Sequence, residues 1–316
     1  MASTNYVPIV ALLASDPSPA SPPGAHEVDL RSTVGVHCAG RGDPTTIVTA
    51  TEVWRAARTP DGPGTLHLAR SADGLAVRTW GPGGPWLRAR IPALLGLHDR
   101  PADDALVAHH PVVAEAHRRH PGLRIGRTDQ VLHALVPAVL AQRVTGIEAW
   151  RSWLGLCRAL GTPAPGPMHL LLPPDPADLA GRPYWWYHRF GVDRRRAETI
   201  RFAARRADRL EEVVDFPLAR AYERLAAVPG AGPWTVATVA GTALGDPDAV
   251  VVGDYHLPHV VSHALAGERR GTDERMVELL EPYRGQRGRV VRLLVMSGLG
   301  PPRRAPRQRI LPMASM

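Results

Sequence analysis

The chain has 316 residues, enough for two domains and a well-buried core, and its 44% hydrophobic and 22% charged content is that of a soluble globular protein. All 38 basic residues are arginine, which excludes a lysine nucleophile, and the two cysteines, Cys38 and Cys157, lack the spacing of a zinc or iron–sulfur site. The formal charge of +8 is uneven: residues 1–110 carry nine Arg against ten acidic residues and residues 111–316 carry twenty-nine against twenty. A polyanionic partner is therefore expected on the second part, although an arginine-biased genome would give the same composition.

Residues 1–25 end in a Ser/Pro/Gly-rich stretch and are expected to lack fixed structure. The apolar run at 7–14 has no basic flank and is too short to span a bilayer, so neither a signal peptide nor a membrane helix is expected, and a cytoplasmic protein is. Residues 26–105 read as an α/β domain. Its strands fall at 52–56, 65–69 and 75–80, separated by turns at 60–63 and 71–74, and their alternation predicts an antiparallel sheet with one covered face. Trp54, Trp80 and Trp86 are expected to pack on it. A segment at 91–97 closes this part, and 99–104 is a polar connection.

From Pro111 the apolar period becomes helical, giving an all-α domain over 106–300. Helices are predicted from 112 and over 130–140, the latter kinked at Pro137, and Trp150 and Trp153 belong to the core of the next one. A proline-rich insertion spans 162–176. Residues 183–190 then hold five aromatic rings, including Tyr184, Trp185 and Trp186. They form either a hydrophobic staple for the following helix or an aromatic wall for a cationic base, where a ring face contributes roughly 0.5–2 kcal/mol. The arginines at 194–196 and 205–206 make a solvated helix face or touch phosphate.

The central stretch is L-x-x-V-P-G-x-G-x-W-T at 225–235. Gly230 and Gly232 permit a tight turn and close approach of another molecule, and N–H groups at the start of the helix opened by Pro233, Trp234 and Thr235 suit a phosphate. A helix to Gly245, a turn at 246–248 and an apolar run at 249–252 lead to V-G-D-Y-H at 252–256. Asp254 is placed to cap the next helix, to present a fixed carboxylate, or both. Further helices end between 265 and 271 and run over 274–280 and 286–297, before a basic tail at 301–316.

The hairpin with an aspartate at this separation resembles the helix-hairpin-helix DNA glycosylase superfamily, and its 3-methyladenine DNA glycosylase II type in particular. The resemblance implies an α+β protein, an N-terminal antiparallel sheet domain followed by the all-α domain, that excises alkylated bases from double-stranded DNA as a monomer, associated with the nucleoid if bacterial. It implies Asp254 as the catalytic residue, Gly230, Gly232, Trp234 and Thr235 as DNA-binding, and carbonyls of Ala226, Val228 and Gly230 as ligands for sodium or potassium when DNA is bound. The lyases of the superfamily carry their lysine where this chain has Trp234, so a monofunctional enzyme using water is expected, without an iron–sulfur cluster. Residues 141–146 resemble the family's Q-x-V-S segment, making Gln142 or Arg143 the side chain that fills the gap left by a flipped nucleotide, with Gln142 as an internal packing residue the alternative. Tyr184, Trp185, Trp186, Trp234 and Tyr283 are the base-pocket candidates. The rival readings are a non-catalytic protein that binds damaged DNA and a glycosylase for uracil or oxidised bases.

Overall fold

The computed structural model describes residues 24–71 and 74–302. The expected N-terminal segment as far as residue 23, the middle of the turn at 71–74 and the arginine tail from residue 303 lie outside the described residues.

Four antiparallel strands, β1 (Thr46–Val48), β2 (Glu52–Thr59), β3 (Gly62–Ser71) and β4 (Gly74–Trp80), pair in sequential order. Thr59 pairs with Gly62, so Pro60 and Asp61 form a two-residue turn. β1 went unforeseen because three residues are too few to show alternation.

Both faces of the sheet are covered, not one. On the first, Val53, Ala57, Leu66, Leu68 and Val77 join a core with α1 (Leu30–Val34), α2 (Gly84–Ala89) and α3 (Ile91–Leu94). On the second, Trp54 stacks on His67 at 3.8 Å and on Trp80 at 5.5 Å, and meets Leu170 and Leu172 of the proline-rich segment. That segment is held by hydrogen bonds from Ala164 N–H to the Leu170 carbonyl and from Leu172 N–H to that of Thr162. Its job is to keep the aromatic face of the sheet out of water.

The helices continue as α4 (Asp103–Ala108), α5 (Pro111–Arg119), α6 (Val131–Leu140), α7 (Gly146–Leu160), α8 (Pro176–Gly181), α9 (Arg194–Ala204), α10 (Ala207–Glu211), α11 (Leu218–Ala226), α12 (Pro233–Val239), α13 (Leu257–Ala266), α14 (Asp273–Leu280) and α15 (Arg287–Met296). Among the described residues, no helix is long and apolar enough to cross a membrane. Starts are fixed by side chains: Thr145 and Glu148 form a capping box on α7, and Asp193 and Thr272 cap α9 and α14. α6 is apolar apart from His133 and runs through the main core, with seven of its ten residues buried. It has no side-chain cap of its own, and the Glu211 carboxylate at the end of α10 instead accepts from the N–H groups of Val131 and Leu132 at 2.7 and 2.9 Å.

The arginine run opening α9 is not one solvated face. Arg194 and Arg195 are exposed, whereas Arg196 is 3% exposed and donates to Asp193 and to the carbonyls of Leu140 and Gly191. α13, α14 and α15 enclose a separate cluster that contains Tyr283. Arg289 of α15, fully buried, pairs with Asp99 at 2.6 Å, and Arg292 donates to the carbonyls of Ser32 and Thr33, so the last helix grips the connection and α1.

The turn before Asp254 is pinned on two sides. Asp246 accepts from the Tyr222 hydroxyl of α11 at 2.7 Å, and Asp248 accepts from Arg287 Nε at 2.9 Å and from the N–H groups of Gly285 and Arg287. Burial alone would raise the Asp248 carboxyl, but the hydrogen bonds and charge of Arg287 outweigh it and hold the group below the usual range. Its contribution is then fully present above the unfolded value of about 3.9 and lost as pH falls through the lower folded value. Asp248→Asn is expected to cost roughly 1–3 kcal/mol in urea unfolding at neutral pH, and the gap to the wild type to close progressively as pH drops below the unfolded value of about 3.9. A gap unchanged in acid contradicts this role.

Candidate active site

α11, the turn at 227–232 and α12 form the hairpin expected from the sequence. Gly230 has φ +89°, and a Cβ there would lie 2.0 Å from Thr199 Oγ1 on α9. Gly232 has φ −80° and open space around it. The two glycines therefore do different work: Gly230 seats the hairpin on α9, and Gly232 leaves the surface clear. The N–H groups of Gly230, Gly232, Trp234 and Thr235 have no acceptor among the described residues.

Thr235 does not present its side chain outward. It is 1% exposed, and its hydroxyl accepts from Gln142 Nε2 at 2.8 Å, while the same amide nitrogen donates to the Gly230 carbonyl at 3.0 Å. Gln142 is thus a clasp between the α6–α7 corner and the hairpin, the packing alternative for this residue. Arg143 beside it is exposed and has φ +55°, a left-handed conformation uncommon outside glycine.

α12 runs into a π-helical turn, Ala240–Leu244, and ends at Gly245 with φ +70°. Trp234 stands in its first turn, half-buried against the main core, and donates from Nε1 to Asp254 Oδ2 at 3.2 Å. Asp254 Oδ1 accepts from the N–H groups of His256 and Leu257 at 2.7 and 2.9 Å, where α13 begins. One carboxylate is oriented by both helices, and it caps α13 as well. Tyr255, 80% exposed next to it, is a surface aromatic that the sequence reading passed over.

Trp234 also walls a cavity of about 180 Å³. Thr238 and Thr242 line it at four-residue spacing on the same helix face, Pro137 and Ala138 come from α6, and residues 36–39, Asp43 and Arg55 come from the sheet side. Arg55 lies on β2 between Val53 and Ala57, 3% exposed. A charged residue at an inward strand position was the available signal for it. Burial lowers Arg55 to about 10, partly opposed by the charge of Asp43. Burial, with Arg55 adding to it, keeps His37 and His133 well below the usual imidazole value. Burial, reinforced by Asp43, pushes the Cys38 thiol up to about 11.

The other pocket candidates lie elsewhere. Tyr184, Trp185 and Trp186 sit on the 3₁₀ segment Tyr184–Phe190, and none lines this cavity. Trp186 packs edge-on against Phe190 with Arg189 over its ring at 4.7 Å, Arg194 covers Tyr184 at 4.7 Å, and Trp185 is 61% exposed. Such packing suits a staple for α9. Tyr283 is 2% exposed in the α13–α15 cluster, edge-on to His109. Of the three carbonyls expected to meet a cation, that of Val228 accepts from Ala231 N–H and that of Gly230 from Gln142. Among the described residues no group of three His, Cys, Asp or Glu side chains is placed to hold a metal ion. A larger cavity of about 660 Å³ lies between the sheet and α10, but Asp129, Asp175, Asp208, Glu211, Glu212 and Asp215 line it and Trp234 does not; Asp254 is in the lining of neither cavity and reaches the smaller one through Trp234.

Solved DNA glycosylases share this architecture. A 3-methyladenine DNA glycosylase from Archaeoglobus fulgidus matches with a TM-score of 0.72 at 18% identity, over 86% of this chain and 96% of its own. MBOgg1 in complex with a low-affinity DNA ligand matches at 0.68 and 18%, over 87% and 93%. The 8-oxoguanine glycosylase/lyase of Clostridium acetobutylicum, in complex with double-stranded DNA containing cytosine opposite 8-oxoG, matches at 0.65 and 10%, over 86% and 93%. The chain has the fold of these DNA glycosylases. No family model matches the sequence, and no curated protein matches it.

The asymmetry of the glycines is testable by thermal unfolding. Gly230→Ala is expected to destabilise the protein by about 1–3 kcal/mol through strain and the clash with Thr199, while Gly232→Ala leaves the melting temperature near the wild-type value. Equal melting temperatures for the two variants contradict the assignment.

Proposed function

We propose that the chain is a monofunctional DNA glycosylase that acts as a monomer on double-stranded DNA carrying a damaged base and leaves an abasic site. The observation that carries this reading is the Asp254 carboxylate, fixed by two N–H groups and by Trp234, whose ring walls a cavity well below the ~300–1,000 Å³ of pockets for drug-sized ligands. The hairpin grips phosphates beside the lesion through the N–H groups of Gly230, Gly232, Trp234 and Thr235. The carbonyls of Ala226, Val228 and Gly230 would hold a sodium or potassium ion against a phosphate, since those of Val228 and Gly230 keep a second lone pair beside the bond each already accepts. Arg143, exposed where Gln142 is engaged, enters the gap left in the base stack.

The nucleotide rotates out, and its base enters the cavity against Trp234. As the glycosidic bond stretches, positive charge grows on the sugar, and Asp254 offers an anion that needs no reorganisation. The same carboxylate orients the attacking water and takes its proton. The Clostridium neighbour is a glycosylase/lyase, but this chain contains no lysine, so no Schiff base forms and the strand stays uncut. Alkylated bases follow from the family resemblance and, to a lesser degree, from the aromatic segment, and that segment stands away from the cavity.

Asp254→Asn is expected to slow base release from lesion-bearing duplex by at least ~10²-fold while abasic-site DNA is still bound. Arg143→Ala is expected to weaken binding to a lesion duplex more than to an intact one. Borohydride is expected to trap no enzyme–DNA adduct. Activity within threefold of wild type in Asp254→Asn removes that residue from the chemistry. DNA binding without release of any base from a lesion panel makes the protein a non-catalytic reader of damage.

A further inference from the structure

We propose that the cavity beside Trp234 selects an uncharged base bearing carbonyl oxygens, that is, an oxidised or deaminated base, and that Arg55 is the residue that selects it. This rests on the glycosylase reading above. Arg55 is enclosed yet makes no ion pair among the described residues. Its partners are neutral: Thr46 Oγ1 at 3.3 Å, Gln130 Oε1 at 2.8 Å and His133 Nδ1 at 3.0 Å. A guanidinium only donates, so His133 Nδ1 accepts, and the remaining N–H groups of Arg55 have no acceptor among the described residues. Both ring nitrogens of His37 are likewise enclosed without a partner.

The carboxylate in the same lining is largely engaged by the protein's own donors. Asp43 Oδ1 accepts from Thr45 N–H and hydroxyl at 2.9 and 2.8 Å and from Trp153 Nε1 at 3.1 Å, and Oδ2 accepts from Ala39 N–H at 2.7 Å. Every donor it meets belongs to the protein. Beside Asp43 and the unpartnered Thr128 hydroxyl, the cavity offers a guest a cation with unused N–H groups and an imidazole kept neutral by burial and by Arg55.

Arginine pairs with a guanine-like edge through O6 and N7, and methylation at N7 removes one of those acceptors and adds a positive charge. Two like charges in an enclosed site repel strongly. A carbonyl-bearing neutral base satisfies the donors instead, and a buried donor left unpaired by the wrong base sharpens the discrimination. The charge also assists departure. The bond between C1′ and the base nitrogen breaks with its electron pair going to the base, whose carbonyl oxygen carries the negative charge beside Arg55. Water oxygen bonds to C1′, Asp254 takes a water proton, and that proton passes to the departed base.

The test measures free base released by wild type, Arg55→Gln and His37→Phe from duplexes that each carry one uracil, hypoxanthine, 8-oxoguanine or 7-methylguanine. The wild type is expected to release at least one of the three neutral bases roughly tenfold or more faster than 7-methylguanine, and the arms show which class it is. Arg55→Gln is expected to lower kcat/KM for that base roughly ten- to hundredfold and to leave 7-methylguanine unchanged or faster. Melting curves establish that the variants fold, and should Arg55→Gln not fold, the same shift in preference is required of His37→Phe. Fastest release of 7-methylguanine, or an equal loss on every lesion in the folded variants, overturns the proposal and leaves the glycosylase standing. Release of nothing from any duplex removes both.

Discussion

The hydrogen bond from the Trp234 indole to Asp254 is the contact on which the rest of the site depends. It joins the first turn of α12 to the start of α13, two places twenty residues apart in sequence, and fixes one carboxylate relative to the wall of a cavity. Asp254 is steered by the N–H groups of α13, and Trp234 by its packing on the main core, with α6 and Gln142 holding the hairpin from beneath.

The sheet is part of the site rather than an attachment to it. Residues 36–39, Asp43 and Arg55 close the cavity that α6 and α12 open. A buried arginine without an ion pair is costly unless its donors are met, and the three neutral hydrogen bonds from Arg55 meet only some of them. The arrangement has stability set aside at a place where function can use it, and the well-packed cores on either side supply the compensation.

Much of this was legible in the residues. The hairpin, its cap-forming aspartate and the three longer strands follow from glycine placement, turn chemistry and alternation. The division of labour between Gly230 and Gly232 was not, because it depends on Thr199, thirty-one residues before Gly230. Gln142 looked like a side chain for DNA and is occupied by Gly230 and Thr235, a long-range choice that local sequence does not encode. The aromatic segment is ambiguous for a related reason: ring density marks a staple and a pocket equally well, and the packing of Trp186 under Arg189 and against Phe190 is a long-range detail that the residues do not give. Arg55 carried a local signal, a charge at an inward strand position, and the sheet's second covering layer hid in a proline-rich stretch without periodicity.

The most direct measurement is a crystal structure with a duplex whose lesion nucleotide carries a 2′-fluorine, so that the glycosidic bond stays intact. The base is expected between Trp234 and residues 36–39, with C1′ facing the Asp254 carboxylate and the hairpin N–H groups on phosphate. A base stacked on the segment Tyr184–Phe190, or an Asp254 carboxylate turned away from the sugar, contradicts the central claim.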